Sequence, residues 1–429
     1  MAFKVIKNRV LFFVLISISC GSEIKKDSAQ SIEISTADIN EKNIILGASR
    51  TNEYLPLLKG KRIGIIANQT SVIYSQQTDS IFEVNPETNG LELYETKLGY
   101  KHLVDSLLEL GVNIKKVFAP EHGFRGKADA GELVKDGIDT KTGIPIISLY
   151  GKNKKPYPKQ LADIDIILFD IQDVGARFYT YISTLHYVME ACAEQNIPVM
   201  VLDRPNPNGH YIDGPILETE HKSFVGMHPI PIVHGMTIGE YAKMINGEGW
   251  LESNVQCDLT IISMYNYSYN KPYSLPIKPS PNLPNDTSIN LYPSLCLFEG
   301  TNVSAGRGTE AQFQVFGSPF LSQSVYDYIF TPQPNEGAKH PKHKDVVCYG
   351  KNLKNHPRLN NLNLNWLINA YNSTSNKTEF FIPFFTKLVG TKKLQQQIEQ
   401  GLNAEDISKS WQNGLEKFKS IRQKYLIYN

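Results

Sequence analysis

The sequence predicts an α/β protein whose mostly parallel sheet is followed by a smaller α+β region. The first observation is an alternation, because short β-branched runs and helical periods follow one another from residue 62 to residue 264. Strand, helix and strand at this spacing form right-handed βαβ units. The second observation is that these runs are apolar almost throughout, as in strands covered on both faces. Beyond residue 284 helical patterns dominate, with one isolated strand, which is typical of an α+β fold.

The individual elements follow from these patterns. Strands are predicted at 62–67, 114–119, 144–149, 164–169, 198–202, 258–264 and 345–348. Helices are predicted at 102–110, 180–195, 237–246, 288–298, 363–371 and 405–425, where apolar residues recur with the helical period. Residues 271–284 hold five prolines in fourteen positions and form neither a central strand nor a helix interior. We expect a functional connector there, between domains over 46–270 and 285–429.

Composition excludes several classes of protein. The 429 residues are 41% hydrophobic and 20% charged, which is ordinary for a globular chain and excludes disorder along most of its length. The formal net charge of +1 creates no field for a polyanion, so nucleic acid is not expected as a partner. The cysteines at 192, 257, 296 and 348 are widely spaced, without a CxxC pair. Buried free thiols are expected, and disulfides are the alternative.

The N-terminus has the pattern of an export signal. Lys4, Lys7 and Arg9 precede an apolar run over 10–18, which is about half the length of a membrane span. We therefore predict a signal peptide over residues 1–20.

The end of that segment resembles a bacterial lipoprotein box. A small residue precedes Cys20, and a polar stretch follows it, so Cys20 is the predicted lipidation site. Cleavage that leaves no anchor is the alternative. Residues 21–45 are predicted to be a polar tether, and the protein is expected in the bacterial periplasm or at the cell surface, held to the membrane through Cys20.

Polar residues follow the predicted strands. In an open parallel sheet, ligands bind outside the carboxyl ends of the strands, so these residues are expected to share one rim. They are Asn68, Glu121, His122, Arg125, Tyr150, Asp170, Asp173, Arg177, Tyr179, Tyr181 and Arg204, with His234 at the end of a further extended run.

Glu121 is the sharpest catalytic candidate. It lies at a strand end between a rigid proline and a histidine–glycine turn, where a carboxyl group is suited to general acid catalysis. The alternative is a structural carboxylate that caps a helix or pairs with Arg125. Asp170 and Asp173 are three residues apart, so one is expected to cap the following helix while the other faces the cleft.

A second candidate cluster lies in the glycine-rich segment 298–310. It contains Glu299, Asn302 and Arg307, and its small residues allow backbone N–H groups to approach a ligand. It lacks the Gly-Lys-Ser/Thr ending of a P-loop. No GxGxxG motif opens the first βα unit, which argues against a nicotinamide or flavin enzyme.

At these residues the sequence resembles the bacterial peptidoglycan exo-β-N-acetylmuramidases of the NamZ (YbbC-like) family. The matching stretches run in order from about residue 60 to residue 320 and are GKRIGIIANQTSV, VFAPEHGFRG, DIQDVGARFYTYISTL, VLDRPNPNG, PIVHGMTIGEYA, PSPNLP and LYPSLCLFEGTNVSAGRGTE.

The resemblance implies a Rossmann-like domain joined to a smaller C-terminal domain, with the active site in the cleft between them. It also implies release of N-acetylmuramic acid from the non-reducing end of peptidoglycan fragments, without a cofactor. The positions carried over are Glu121, His122, Arg125, Asp170, Asp173, Arg177, Tyr179, Arg204, His234, Glu299, Asn302 and Arg307.

Three mechanisms remain open for such a reaction. In the first two mechanisms, an acid protonates the leaving oxygen and a carboxylate either activates water or attacks the sugar. Our hypothesis is that Glu121 is the acid and that Asp170 or Glu299 is the carboxylate. In the third mechanism, the 2-acetamido group of the substrate itself attacks. One arginine among 177, 204 and 307 is expected to bind the lactyl carboxylate, while Tyr179 and Tyr181 stack on the sugar or donate hydrogen bonds.

Two other classes of protein compete with a glycosidase. The first is a metal-dependent hydrolase with ligands from Glu121, His122, Asp170, Asp173 and His234, although their spacing matches no standard metal motif. The second is a lipoprotein that binds muropeptides without cleaving them.

Overall fold

The structure is a computed structural model, and it describes residues 43–84, 91–126 and 135–429. The predicted signal peptide, the lipidation site at Cys20 and most of the predicted tether lie outside these residues. The last two tether positions belong to the folded body, since Ile44 is buried and Ile45 forms a β-bridge with Tyr265. Among the described helices, none is long and apolar enough to cross a membrane.

A seven-stranded sheet forms the centre of the larger part, in the order β5-β6-β4-β1-β7-β8-β9. The strands are β1 (Ile63–Ala67), β4 (Ile114–Ala119), β5 (Gly137–Ile138), β6 (Pro145–Ser148), β7 (Ile166–Asp170), β8 (Val199–Leu202) and β9 (Leu259–Ile262). All neighbours pair in parallel except β5, which is antiparallel to β6. From β1 the order runs to β4 and β6 on one side and to β7, β8 and β9 on the other. The mostly parallel α/β sheet is as predicted.

Helices cover this sheet, and a hairpin was missed. The helices are α1 (Thr51–Leu58), α2 (Leu103–Glu109), α3 (Pro158–Leu161), α4 (Tyr181–Glu194) and α5 (Ile238–Gly247). Between β1 and α2 the chain forms the antiparallel pair β2 (Val72–Val84) and β3 (Leu91–His102). The sequence analysis missed this hairpin because the segment contains many polar residues and no apolar run comparable with the sheet strands.

Within the described residues, the C-terminal part contains a small antiparallel sheet and six helices. Its strands, in the order β10-β12-β11, are β10 (Val315–Ser318), β11 (Tyr328–Phe330) and β12 (Cys348–Asn352). Its helices are α6 (Asp286–Leu295), α7 (Asn365–Ser373), α8 (Phe384–Val389), α9 (Lys393–Glu399), α10 (Ala404–Ser410) and α11 (Gln412–Arg422).

Two predictions for this part were wrong in detail. The strand predicted at 345–348 begins only at Cys348, because Asp345 has a φ of +62° that strand geometry does not allow. The helix predicted at 405–425 is two helices, which meet at Trp411. The four cysteines at 192, 257, 296 and 348 are buried free thiols, as expected.

A buried acid ties the C-terminus to the central sheet. Asp203 follows β8, is fully buried, and accepts hydrogen bonds from Gly239 N at 2.8 Å, Thr237 Oγ1 at 2.7 Å and Tyr428 Oη at 2.6 Å. Burial raises the pKa of Asp203 to about 7, and the nearby charge of Glu240 adds to this rise.

Asp203 is expected to make the unfolding free energy of the protein depend on pH. Because the folded-state pKa of Asp203 lies above its ordinary 3.8, its contribution is fully present below about pH 4 and is lost as the pH rises through 7. Asp203→Asn mimics the protonated acid and removes this dependence. Between pH 4.5 and 8, the unfolding free energy of the wild type should fall relative to this variant by on the order of 2–4 kcal/mol in urea denaturation.

Asp165→Asn is the control for that measurement. An exposed pair with Arg62 lowers the pKa of Asp165 to about 2, so its stabilising effect is constant over the same pH range. A constant difference between the wild type and Asp203→Asn would contradict the account of Asp203.

Candidate active site

A tight turn after β4 presents Glu121. Gly123 N donates to Pro120 O at 3.0 Å, and His122 and Gly123 have φ values of +69° and +75°. A left-handed conformation is uncommon for a residue other than glycine, and such strain is concentrated at functional sites. The turn therefore holds the Glu121 side chain in one direction at the carboxyl end of the sheet.

Two hydroxyl groups orient the Glu121 carboxyl group. Tyr150 Oη donates to Oε1 at 2.9 Å, and Thr180 Oγ1 donates to Oε2 at 2.7 Å. Tyr150 follows β6, the strand beside β4, and Thr180 directly precedes α4, so the two donors come from different parts of the chain. Burial, together with the charge of Glu121, raises the pKa of Tyr150 above its ordinary value, which keeps the phenol protonated as a donor.

A cavity of about 290 Å³ opens beside Glu121. This volume is close to the lower end of the range for ligand pockets, about 300 Å³. The wall from the sheet domain and the connector consists of Glu121, His122, Tyr150, Phe178, Tyr179, Thr180, Phe224, Val225, Ser280, Asn282 and Leu283. The wall from α6 and the chain beyond it consists of Tyr292, Cys296, Glu299, Arg307, Phe313, Phe384 and Leu388. The cavity thus lies between the two sequence regions, and the proline-rich connector contributes to it.

Glu299 is the second carboxylate in this cavity. It lies on the 3-10 turn Cys296–Gly300 that continues α6, and its Oε2 is 3.3 Å from Arg307 Nη1. Arg307 Nη2 also donates to Gly337 O at 3.3 Å. Glu121 and Glu299 therefore belong to opposite walls and have different partners, two hydroxyl groups in one case and a guanidinium in the other.

Lys342 holds the segment that carries Glu299. Its ammonium group donates to Phe298 O at 3.0 Å, to Val303 O at 3.1 Å and to Thr301 O. Burial lowers the pKa of Lys342, and the charge of Glu299 opposes that shift. The sequence analysis missed Lys342 because it lies far along the chain from the segment that it supports.

Lys342→Met tests this support. The variant removes the donor for three backbone carbonyls, so we expect a loss of about 2–3 kcal/mol in unfolding free energy and about a tenfold lower kcat. Urea denaturation and initial rates measure these effects. Lys344→Met is the matched control, because Lys344 is exposed and its contact is Asp345 at 3.7 Å. Equal behaviour of the two variants would contradict the role of Lys342.

Asp170 and Arg204 do not lie at the cavity, contrary to expectation. Asp170 is fully buried and pairs with Arg204, whose Nε and Nη2 donate to its two oxygens at 2.6 and 2.9 Å. Arg204 Nη2 also donates to Val72 O at 2.9 Å. Both side chains are buried and are bonded to each other. They therefore hold strand ends together and do not face a ligand.

Arg177 is also structural rather than exposed to the cavity. Its guanidinium donates to Pro215 O and Ile230 O, and to Leu388 O and Val389 O at the end of α8, at 2.6–3.0 Å. Burial lowers the pKa of Arg177 to about 9. A cation at a helix C-terminus is favourable there, so Arg177 joins the sheet domain to α8.

Several other predicted residues do not line the cavity. Asn68 Oδ1 accepts from Thr70 N, and Arg125 donates to Asp105 and Asp139. Asp173 Oδ2 accepts from Gly175 N at 2.7 Å and lies 3.7 Å from His234 Nε2. Tyr181 Oη donates to Glu121 O at 3.4 Å, and Asn302 Nδ2 donates to Asn376 O at 3.4 Å. Of the residues predicted at the rim or in the glycine-rich segment, those that line the cavity are Glu121, His122, Tyr150, Tyr179, Glu299 and Arg307.

The five proposed metal ligands do not form a cluster. Within the described ranges, the group of His, Cys, Asp or Glu side chains close enough to share an ion is Glu218, Glu220 and His221. This group lies outside the residues that line the cavity.

Sequence reasoning missed some residues of the cavity. Thr180 had a usable signal, since it lies between two predicted tyrosines. Asn282 lies in the proline-rich connector, which was predicted to be functional. Phe224 and Tyr292 had no local signal, because one lies in a long loop and the other resembles an ordinary helix position.

The fold and the cavity together define a class of protein. A mostly parallel α/β sheet presents one carboxyl group at its carboxyl-end rim, and the following region presents a second across an aromatic cavity. A pair of carboxyl groups flanking a sugar-sized cleft is the arrangement used by enzymes that cleave glycosidic bonds.

Comparisons with known proteins identify the family. The family model described as "Exo-beta-N-acetylmuramidase NamZ, N-terminal" matches residues 63–287, and the model of the C-terminal domain of the same family matches residues 290–428. The chain is 39% identical over 397 residues to peptidoglycan beta-N-acetylmuramidase NamZ of Bacillus subtilis strain 168, covering 88% of this chain and 89% of that protein. The chain belongs to the NamZ family.

Two solved structures share the fold. Both are DUF1343 family proteins from Bacteroides fragilis. The first is 46% identical, with a TM-score of 0.78, and the match covers 90% of this chain and 99% of that chain. The second is 27% identical, with a TM-score of 0.71, and the match covers 90% and 100%.

Proposed function

We propose that the protein is an exo-acting glycosidase that releases N-acetylmuramic acid from the non-reducing end of peptidoglycan fragments. Membership of the NamZ family supports the substrate class. The observation that carries the proposal is the pair of carboxyl groups, Glu121 and Glu299, in one aromatic cavity. Such a pair supplies the acid and the second carboxylate that glycoside cleavage needs.

The hydroxyl groups beside Glu121 and the guanidinium beside Glu299 support different roles for the two carboxyl groups. Tyr150 and Thr180 bear hydroxyl groups, which can accept a hydrogen bond as well as donate one, so Glu121 can carry a proton. Arg307 has donors only, so Glu299 meets it as a carboxylate. Glu121 is therefore the general acid for the leaving oxygen, and Glu299 is the carboxylate that attacks, activates water or orients the acetamido group.

We propose that Arg307 binds the lactyl carboxylate. Of the three arginines considered from the sequence, it is the one that lines the cavity, since Arg177 and Arg204 are enclosed by other partners. A guanidinium binds a carboxylate through two parallel hydrogen bonds. This contact distinguishes N-acetylmuramic acid from N-acetylglucosamine, which has no lactyl group.

We place the enzyme outside the cytoplasm. The predicted export signal over residues 1–20 and the lipoprotein-like sequence at Cys20 support a membrane-anchored enzyme of the periplasm or cell surface. Its partners there are peptidoglycan-derived glycans and muropeptides.

Hydrolysis of paired chromogenic substrates tests the proposed function. We expect the β-N-acetylmuramide to be cleaved and the matching β-N-acetylglucosaminide to be cleaved much more slowly, with no effect of a chelator. Arg307→Met should raise the KM for the muramide about 10- to 100-fold. Arg358→Met is the control, because its guanidinium donates to Pro207 O outside the cavity.

Other outcomes would favour the competing classes. Loss of activity in chelator would indicate a metal-dependent hydrolase. No cleavage of either glycoside, with muropeptide still bound, would indicate a binding lipoprotein. Equal rates on the two glycosides would overturn the role of Arg307.

A further inference from the structure

A second, open cavity adjoins the active-site cavity. It has a volume of about 650 Å³ and lies along the chain segment that follows β6. We name it the lysine groove, defined by Lys116, Lys152, Asn153, Tyr157 and Lys159.

Two side chains connect the groove with the active site. Tyr150 lines both cavities, and its hydroxyl group donates to Glu121 Oε1 at 2.9 Å. Lys154 lies in the same chain segment as the groove lysines, with its ammonium group 4.2 Å from the ring centroid of Phe224, which lines the active-site cavity. The two cavities therefore adjoin at Tyr150, next to Glu121.

The groove presents positive charge to solvent. Lys152 and Lys159 are exposed, and no salt bridge to either occurs among the described residues. Lys116 differs, since it is paired with Asp163 at 2.5 Å. Among the described residues, Asp136 is the one acid that lines the groove, and its Oδ1 accepts from Ser148 N at 2.8 Å. The positive charge therefore exceeds the negative charge, which favours an anionic ligand.

An aromatic ring lies beside these lysines. Tyr157 is 49% exposed although it lines a concave surface. An exposed tyrosine offers an apolar face and a hydroxyl group, which suits a sugar ring with both CH and OH groups. Asn153 Nδ2 donates to Ser148 O at 2.7 Å, which fixes the bend that carries Lys152 and Lys154. The groove thus combines a sugar-binding face with cations.

We propose that the lysine groove binds the glycan on the leaving-group side of the scissile bond, and that Lys152 and Lys159 bind the lactyl carboxylate of the next muramic acid residue. This inference rests on the proposed function. Peptidoglycan alternates its two sugars, so cleavage of the terminal muramic acid leaves N-acetylglucosamine and then a second muramic acid on the leaving side. In a glycan without stem peptides, the nearest carboxylate beyond the scissile bond is therefore that of the second muramic acid.

Three peptide-free substrates test the inference. They are the disaccharide muramic acid–glucosamine, the tetrasaccharide with two such units, and a trisaccharide in which a second glucosamine replaces the second muramic acid, all N-acetylated. We expect kcat/KM for release of the first muramic acid to be about tenfold higher for the tetrasaccharide than for the other two. This preference should weaken as ionic strength rises, because it depends on exposed charges.

A double variant locates the effect. Lys152→Met/Lys159→Met should abolish the tetrasaccharide preference, mainly through KM, whereas Lys59→Met/Lys61→Met should keep it. The control lysines precede β1, at the amino end of the sheet. An unchanged preference in the double variant, or an equal preference of the wild type for the trisaccharide, would overturn the proposal. Failure to cleave any of the three substrates would instead overturn the proposed function, and the inference with it.

Discussion

Glu121→Gln is expected to lower kcat for release of N-acetylmuramic acid from a natural disaccharide by about a thousandfold. The amide keeps the size of the side chain. Its oxygen accepts from one of the hydroxyl groups of Tyr150 and Thr180 and its NH2 group donates to the other, so the turn and the fold persist. It has no acidic proton for the leaving oxygen. Initial rates on the disaccharide measure the loss, and urea denaturation shows that stability is retained.

The leaving group separates the two carboxyl groups. An aryl leaving group needs little protonation, so Glu121→Gln should lose far less activity on an aryl muramide than on the disaccharide. Glu299→Gln should lose activity to a similar extent on both substrates, because its role does not depend on leaving-group basicity. Glu416→Gln is the control, since Glu416 lies on the surface and pairs with Lys419 at 2.8 Å. The reverse pattern would exchange the roles of Glu121 and Glu299.

Arg204→Met is expected to cost about 3–5 kcal/mol of unfolding free energy. The substitution leaves the Asp170 carboxylate fully buried without the two hydrogen bonds that neutralise it. Burial already raises the pKa of Asp170, and loss of the arginine would raise it further. Urea denaturation at pH 7 measures the effect.

A second variant distinguishes an unpaired charge from lost packing. Asp170→Asn/Arg204→Met removes the buried charge and should recover a large part of the loss. Arg62→Met is the matched control, because Arg62 forms a similar pair with Asp165 but in an exposed position, where little change is expected. A double variant no more stable than Arg204→Met alone would contradict this account.

The strand–helix pattern predicted most of the central sheet, because buried parallel strands have long apolar runs with polar residues at their ends. Glu121 was predicted at the correct rim for this reason. Strand position alone does not reveal which polar residue faces a ligand. Asp170 ends β7 and Glu121 follows β4, yet Asp170 is enclosed by Arg204.

Contacts between distant parts of the chain explain why the structural roles of Arg177 and Lys342 were not predicted. The carbonyl groups that surround Arg177 come from residues 215, 230, 388 and 389, which no local pattern relates to it. Lys342 supports the Glu299 segment from more than 30 residues away in sequence. Arginines beside glycine turns were predicted to bind the ligand, but a guanidinium can equally donate hydrogen bonds to backbone carbonyl groups, as Arg177 does.

The central claim is that the cavity between Glu121 and Glu299 is where the sugar is cleaved. A crystal structure of Glu121→Gln with the intact muramic acid–glucosamine disaccharide tests it most directly. We expect the muramic acid ring in the cavity, with the glycosidic oxygen within hydrogen-bond distance of Gln at position 121 and the lactyl carboxylate against Arg307. A disaccharide bound outside this cavity, or bound with its glycosidic oxygen remote from position 121, would contradict the claim.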